Sequence, residues 1–312
     1  MQARIHCLGI LVVDALSGPL DQYPQPHVRT QVVTDRVRFL PGGGAANTSG
    51  ALGRMGLPVS VFSKVGDDLN GRFLLDELTR CGVDVTGIRV SPADTTPFTF
   101  VGIHPDGDRS FIHTPGSNLT FCAEDLDHDR IFAADYLLYQ DCWVLPRLDG
   151  APGAALLAEA QRRGVVTLLD ECWGLGPRRD TFETMLPHCD FVLPSLDDMR
   201  ALYADEAAEA IVARLLALGA KTVVLKMGAE GCLVANPGGQ TQVPALSARV
   251  VDTTGAGDCW NAGFIAGLVK GADVLTAARL GHACAAFCIE MIGGFGGVPD
   301  YAAVVRRAEV ML

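Results

Sequence analysis

The sequence predicts an α/β fold: a three-layer sandwich on a mostly parallel central sheet, with a small antiparallel β lid. Three observations carry that prediction. Short, continuous apolar runs alternate with helical patterns through most of the chain, and strands apolar at every position are those buried on both faces of a parallel sheet. After Asp258 the pattern turns chiefly helical. Two stretches, 28–40 and 95–113, instead alternate apolar and polar residues, as half-exposed strands do. The 312 residues, 49% of them hydrophobic, are enough for one large α/β unit with a small appendage. No repeat, low-complexity tract or linker divides them. A single unit over 1–312 is therefore expected, with the lid inserted at about 15–40 and 95–114.

The elements follow in order. Residues 5–13 read as the first buried strand, because the apolar run from Cys7 to Val13 is stopped by Asp14. The run lacks a charged leader and a long apolar stretch, so it does not read as a signal peptide, and no segment is apolar for long enough to span a bilayer. Further strands are expected at 59–64, 136–139, 165–169, 191–193 and 222–226. Helices are expected at 45–55, 71–81, 151–163, 196–202, 207–218, 259–268, 274–289 and 301–311. Pro105-Asp106-Gly107 supplies a turn between strands at 98–103 and 109–113, since Pro presets φ and Gly accepts the conformations that close a hairpin. A small sheet beside a Gly-rich cleft is either a lid over the site or an edge extension of the main sheet.

A formal net charge of −11 makes nucleic acid and anionic membranes poor partners. A small phosphate ligand remains compatible, because local N–H groups hold it against the global field. The ten cysteines are scattered from Cys7 to Cys288, with no C-x-x-C pair and no Cys/His cluster at zinc spacing. They read as reduced, mostly buried thiols of a cytoplasmic protein.

Two glycine motifs carry the chemistry. Asp252-Thr253-Thr254-Gly255-Ala256-Gly257-Asp258 lies between a strand-like run and a helix rich in small residues. The free N–H groups of a first helical turn bind anions. An acid inside such a site would repel the anion, unless Asp258 takes a proton from a nucleophile while the N–H groups hold developing phosphoryl charge. Gly42-Gly43-Gly44-Ala45-Ala46-Asn47 is the second motif. Its glycines permit close backbone approach, and the Asn47 amide both donates and accepts, which suits a grip on a hydroxyl. Neither motif fits the dinucleotide fingerprint or the P-loop: the third glycine of the first is missing, and so is the Lys-Ser/Thr of the second.

Together with Val65-Gly66-Asp67-Asp68-Leu69-Asn70-Gly71, Asp106-Gly107-Asp108-Arg109-Ser110-Phe111 and Lys226-Met227-Gly228-Ala229-Glu230-Gly231, these motifs resemble, in the right order, those of the ribokinase-like (PfkB) carbohydrate kinase family. The resemblance spans essentially the whole chain. It implies a Rossmann-like layering and an ATP-dependent kinase that phosphorylates a hydroxymethyl group of a small sugar or sugar acid, with ATP and Mg²⁺. The alternatives are a nucleoside kinase of the same fold, with Phe98, Phe100 and Phe111 stacking on a base, and a non-catalytic sugar-binding regulator.

The resemblance also implies roles. Asp258 is the base, and Gly255, Ala256 and Gly257 form the anion hole. Asp14, Gly43 and Asn47 grip the sugar, and Asp141 matches a polar sugar contact. Gly228 and Gly231 belong to the nucleotide turn. Lys226 either touches a phosphate or ends a strand. His282 either flanks adenine or sits in the core or at the surface, and Arg109 either reaches over the substrate from the lid or is solvated. Asp252 and Thr254, with carbonyls from Gly293-Gly294-Phe295-Gly296-Gly297, match a K⁺ site. The family's P-N-x-x-E segment is replaced by Pro194-Ser195-Leu196-Asp197-Asp198. Asp198 keeps the charge of an outer-shell Mg²⁺ residue with one methylene less reach. In relatives an exposed lid sheet pairs with a second copy, so a homodimer through the lid is expected.

Overall fold

Strand polarity and burial organise the molecule, a computed structural model that describes residues 3–20, 22, 27, 31–104, 109–174, 176, 178–204 and 206–309. The strands are β1 (Ile5–Leu8), β2 (Val12–Pro19), β3 (Val37–Gly42), β4 (Val59–Gly66), β5 (Asp84–Ser91), β6 (Phe98–Ile103), β7 (Arg109–Thr114), β8 (Tyr136–Cys142), β9 (Val166–Glu171), β10 (Phe191–Val192), β11 (Thr222–Lys226), β12 (Cys232–Asn236) and β13 (Gly239–Val243). The helices are α1 (Gly44–Arg54), α2 (Leu69–Arg80), α3 (His128–Ile131), α4 (Ala151–Arg162), α5 (Arg179–Met185), α6 (Leu196–Leu202), α7 (Ala208–Ala217), α8 (Ala256–Val269), α9 (Val274–Ile289) and α10 (Tyr301–Glu309).

The main sheet runs β13-β12-β11-β10-β9-β8-β1-β4-β5. It is parallel from β5 to β11 and antiparallel from β11 to β13. The chain winds outward from β1 in one direction and then outward from β8 in the other. The switch point therefore lies between β1 and β8, and ligands of such sheets bind beyond the carboxyl ends of the strands there. Successive side chains of β1 point to opposite faces, so Ile5 and Cys7 join one core and Leu8 joins the other. The first core is closed by α1, α2, α8, α9 and α10, and the second by α4, α5, α6 and α7. Helix α8 is buried from Cys259 to Gly267, and glycines let it lie against α9. A Cβ on Gly263 would sit 2.4 Å from the Leu280 carbonyl oxygen.

The second sheet, β3-β2-β6-β7, is separate from the main one and not an extension of its edge. Its β2–β3 and β6–β7 pairs are antiparallel, while the central β2–β6 pair is parallel, so the small sheet is mixed. The strand expected at 5–13 divides. The chain leaves the main sheet after Leu8 and re-enters a different sheet at Val12. Both pieces are buried, so the apolar run did not reveal the break. Asp14 accordingly belongs to the lid sheet rather than to the end of the first central strand. Within the described part of the alternating stretch 28–40, Val37 onward is strand and 31–36 is not. Residues 28–30, the turn Pro105-Asp106-Gly107 with Asp108, and the last residues of the C-terminal helix, 310–311, lie outside the described residues.

Candidate active site

Asp258 sits in the first turn of α8, at the carboxyl edge of the sheet. Gly255 is the N-cap of the helix, and its φ of 73° is left-handed, a conformation glycine adopts without steric cost. A Cβ there would also lie 2.6 Å from the Gly294 carbonyl oxygen. The turn spends the Ala256 N–H on the Thr253 carbonyl at 3.2 Å. The N–H groups of Gly255 and Gly257 have no acceptor among the described residues, which leaves them open at the positive end of α8. Both carboxylate oxygens of Asp258 are oriented: Asn47 Nδ2 donates to Oδ2 at 2.8 Å and Gln140 Nε2 to Oδ1 at 3.2 Å. Burial raises the Asp258 pKa, the Asn47 bond opposes that, the charge of Asp170 adds to it, and Lys226 opposes it.

Asn47 thus turns its amide N–H to the carboxylate of Asp258. It is buried, and its Oδ1 has no partner. Gly43 has φ 87° and packs on the Ile10 carbonyl, where a Cβ would approach to 2.6 Å. Asp141 lies beneath both, 2% exposed, and is outside the walls of the two cavities described below. Its Oδ2 accepts from Ile10 N at 2.8 Å and Ala45 N at 3.2 Å, and its Oδ1 from Gly44 N at 3.1 Å. It therefore caps α1, whose own N-cap Gly43 has no side chain to offer. Burial first, and then the charge of Asp258, push the Asp141 carboxyl well above the usual range, while the N–H groups of Ile10 and Gly44 pull it back.

On one side of Asp258 lies a cleft of ≈ 1070 Å³, lined by Gly255 to Asp258, Lys226, Gly228, Gly231, Asp198 and His282 among others. Lys226 Nζ rests 3.0 Å from each oxygen of Asp170, and lies 3.4 Å from where a Gly257 Cβ would be. Burial works against its charge, but Asp170 and Glu171 outweigh that and raise its pKa. Asn261 completes the cluster by donating to Asp170. Gly228 and Gly231 have φ of 56° and 93° and turn β11 into β12. Ser195 caps α6: its Oγ accepts from the Asp198 N–H at 3.2 Å and its hydroxyl donates to the Asp198 carboxylate. The Ser195 N–H donates to Glu171 Oε1 at 2.8 Å, while the buried Glu171 Oε2 has no partner. Burial and then Asp170 push the Glu171 carboxyl well above its usual range. His282 accepts from Trp260 Nε1 at 3.2 Å, and burial lowers its pKa to about 4, so its ring is neutral.

On the lid side lies a second cavity, of ≈ 150 Å³, lined by Asp14, Leu16, Leu40, Thr99, Arg109, Phe111, Thr254 and Gly294 with three neighbours. Burial raises the Asp14 carboxyl to about 6 against the bond from Thr99. Arg109, at the start of β7, donates from Nη2 to Asp252 Oδ1 at 2.7 Å and from Nη1 to Thr254 Oγ1. The pair expected to hold K⁺ is thus held by a guanidinium. Thr254 lines the small cavity and Gly255 the large one, so the signature turn borders both.

A pfkB family carbohydrate kinase profile matches residues 3–300. The chain belongs to that family. It is 31% identical over 259 residues to a protein of Archaeoglobus fulgidus described as an uncharacterized sugar kinase, a match covering 80% of this chain and 98% of that relative. It is 31% identical over 249 residues to an ATP-dependent ribose-1-phosphate kinase of Halopiger xanaduensis, 78% of this chain and 79% of that one. The structure of Arabidopsis thaliana ribokinase complexed with ribose and ATP covers 99% of both chains with a TM-score of 0.87 at 24% identity, a likeness of fold.

In this carbohydrate kinase the sequence motifs omitted two contributors to the site, Gln140 and Asn261, and the sequence placed Asp170 at a strand end on the ligand edge without giving it a role. Gln140 orients Asp258 from near the end of β8, and Asn261 and Asp170 hold Lys226 under the turn. Their signal was positional. Gln140 and Asp170 end central strands, the edge where sites of such folds form, while Asn261 lies one helical turn after Asp258.

Proposed function

We propose that this kinase moves the γ-phosphoryl group of ATP to a hydroxymethyl group of a small sugar or sugar acid. Asp258 serves as the base and the Gly255–Gly257 turn as the anion hole. One observation carries the reading: a carboxylate of raised pKa, fixed by two amide donors, stands in the first turn of a helix whose open N–H groups line the large cleft. Phosphoryl transfer asks for positioning and charge stabilisation, and this arrangement offers both.

ATP with Mg²⁺ would supply the phosphoryl group. The large cleft has the volume for a nucleotide. Asp198 and the orphan oxygen of Glu171 suit a hard cation. Among the described residues no three His, Cys, Asp or Glu groups converge as a cage, which fits a metal held largely through water and phosphate oxygens. The chain's own residues do the rest. Asp258 receives the proton of the attacking hydroxyl, Asn47 and Gln140 hold its carboxylate in line, and the Gly255 and Gly257 N–H groups take up charge on the transferred group. Lys226 fixes the floor beneath them, and the lid strands exclude water.

The small cavity favours a sugar over a nucleoside. At ≈ 150 Å³ it is below the roughly 300–1,000 Å³ of sites for drug-sized ligands, so it suits a single sugar ring. Asp14, Thr99 and Thr254 put polar groups in its wall. The test is ADP release with ribose, fructose, ribose 1-phosphate, ketodeoxy sugar acids and adenosine. Turnover with a sugar or sugar acid is expected. Turnover confined to adenosine would give the nucleoside reading instead, and no acceptor-dependent ADP release would overturn both. Exposed Phe39 and Ile112 on the lid strands support pairing with a second copy, which sedimentation at two concentrations tests. Ten free thiols fit a reducing, cytoplasmic setting.

A further inference from the structure

Two loops, one leading into the anion hole and one following α9, bring five oxygen atoms into the same neighbourhood. They are both carboxylate oxygens of Asp252, the hydroxyl and carbonyl of Thr254, and the carbonyl of Gly294. Such a set of oxygens suits a hard cation, yet each already has a donor. Asp252 Oδ2 accepts from Gly293 N at 3.0 Å, and Oδ1 from Thr254 N at 2.7 Å. The Thr254 carbonyl takes the Cys288 thiol at 3.3 Å, and the Gly294 carbonyl takes Cys259 and Cys288 at 3.0 and 2.8 Å. The remaining positive charge comes from Arg109, on Asp252 Oδ1 and Thr254 Oγ1.

Asp252 is 3% exposed, so its charge needs a partner that is also out of water. Burial acts to raise its carboxyl pKa, but the bonds from Gly293, Thr254 and Arg109 outweigh it and hold the group ionised. A free monovalent cation placed among the same oxygens would meet the guanidinium as a like charge. The residues present therefore do not fit K⁺.

We propose that Arg109 is the built-in cation of this site: it replaces a monovalent ion beside the anion hole and makes turnover independent of one. Arg109 is a positioning residue. It lies on β7 of the lid, whereas Asp252 and Thr254 lie one to three residues before Gly255. The charge that orders the hole therefore arrives with the lid. When the lid lifts, Asp252 loses its charged partner and the turn loses its brace. Closing over the sugar and arming the hole become a single event.

The inference rests on the kinase reading for its effect on rate, but its test has a second arm that needs no turnover. Turnover and melting temperature are measured in KCl, NaCl and tetramethylammonium chloride at equal ionic strength. The wild type is expected to vary by less than about two-fold in kcat among the three salts, because no cation binds beside a fixed guanidinium. Arg109→Met is expected to lose roughly ten-fold in kcat in tetramethylammonium, as one lost charge contact would. K⁺ then restores part of that rate and raises the melting temperature of the variant, since an ion that binds only the folded state stabilises it. Arg109→Lys keeps a lid charge and stays indifferent to the salt. A wild type stimulated several-fold by K⁺, or melting higher in KCl than in tetramethylammonium chloride, overturns the proposal. So does an Arg109→Met variant no more responsive than the wild type. If that variant does not fold, the wild-type and Arg109→Lys arms decide alone. Failure of the kinase reading would instead be total absence of acceptor-dependent ADP release, with the melting arm still readable.

Discussion

Replacing Asp258 by Asn separates proton transfer from everything else the residue does. The side chain keeps its shape, so the 2.8 Å bond from Asn47 survives on the amide oxygen. The amide NH₂ then faces the Gln140 donor, which now stands 3.2 Å from a carboxylate oxygen. One charge-assisted bond is lost, about 1.5–3 kcal/mol. Against this, the change removes a charge that raises the pKa of Asp141 and itself suffers from Asp170. The two effects oppose each other, so the melting temperature should stay within about 4 °C of wild type. The base itself is worth roughly 10²–10⁴-fold in kcat, or about 3–5.5 kcal/mol of barrier. The assay pairs steady-state ADP release with ATP titration and thermal unfolding. A kcat within about three-fold of wild type would refute the base assignment. A loss of ATP affinity as large as the loss of kcat would refute its attribution to proton transfer.

Three further outcomes follow from named contacts. The Asp14 pKa is raised to about 6, so the folded state favours its neutral form. That contribution is complete below the unfolded pKa of about 3.9 and is lost as pH rises through 6. Asp14→Asn should therefore unfold at higher temperature than wild type at pH 8, by at most about 3 kcal/mol, and match it near pH 4, while sugar KM rises. Equal melting temperatures at both pH values would contradict this. Gly255→Ala puts a Cβ 2.6 Å from the Gly294 oxygen in a left-handed turn, costing about 1–2 kcal/mol in backbone conformation alone. Its kcat should fall by at least about a hundred-fold, as when an oxyanion donor is removed, and full activity would sink the anion-hole assignment. Asp141→Ala strands the N–H groups of Ile10, Gly44 and Ala45, each worth about 1–3 kcal/mol when unsatisfied. Relief from burying a charge offsets part of that, so urea unfolding should report a net loss of about 2–5 kcal/mol; no loss would refute the capping role.

The alternation of apolar runs with helical patterns was enough to read the parallel sheet, because strands buried on both faces carry that composition whatever their neighbours. The sequence could not reveal that Gly9 to Leu11 carries the chain from one sheet to another, since both sides of the break are equally apolar. The edge strands β5 and β13, exposed along much of their length, lacked the continuous apolar signal altogether. In the site, glycine spacing located the turn before α8, whose shape is local. It did not locate Gln140 or reveal that Asn47 bonds Asp258, because those contacts join residues 118 and 211 positions apart. Arg109 was legible as a lid residue. Its landing on Asp252 and Thr254 depends on how the lid sheet is carried over the main one, and no local pattern encodes that.

The passage from β1 to β2 also sets the mechanics of the lid. Three residues join a fully buried strand to the second sheet, so in the proposed closure the lid is a lever and residues 9–11 are its fulcrum. Ile10, at the middle, is clamped on both sides: Asp141 holds its N–H, and Gly43 presses on its carbonyl. The same Asp141 fixes the first turn of α1, which carries Asn47 to the base. Pivot and base support therefore share one bolt. A change that loosens it must alter the opening rate and the alignment of Asp258 together, whereas changes farther out along β6 and β7 can reshape the acceptor cavity without disturbing the bearing.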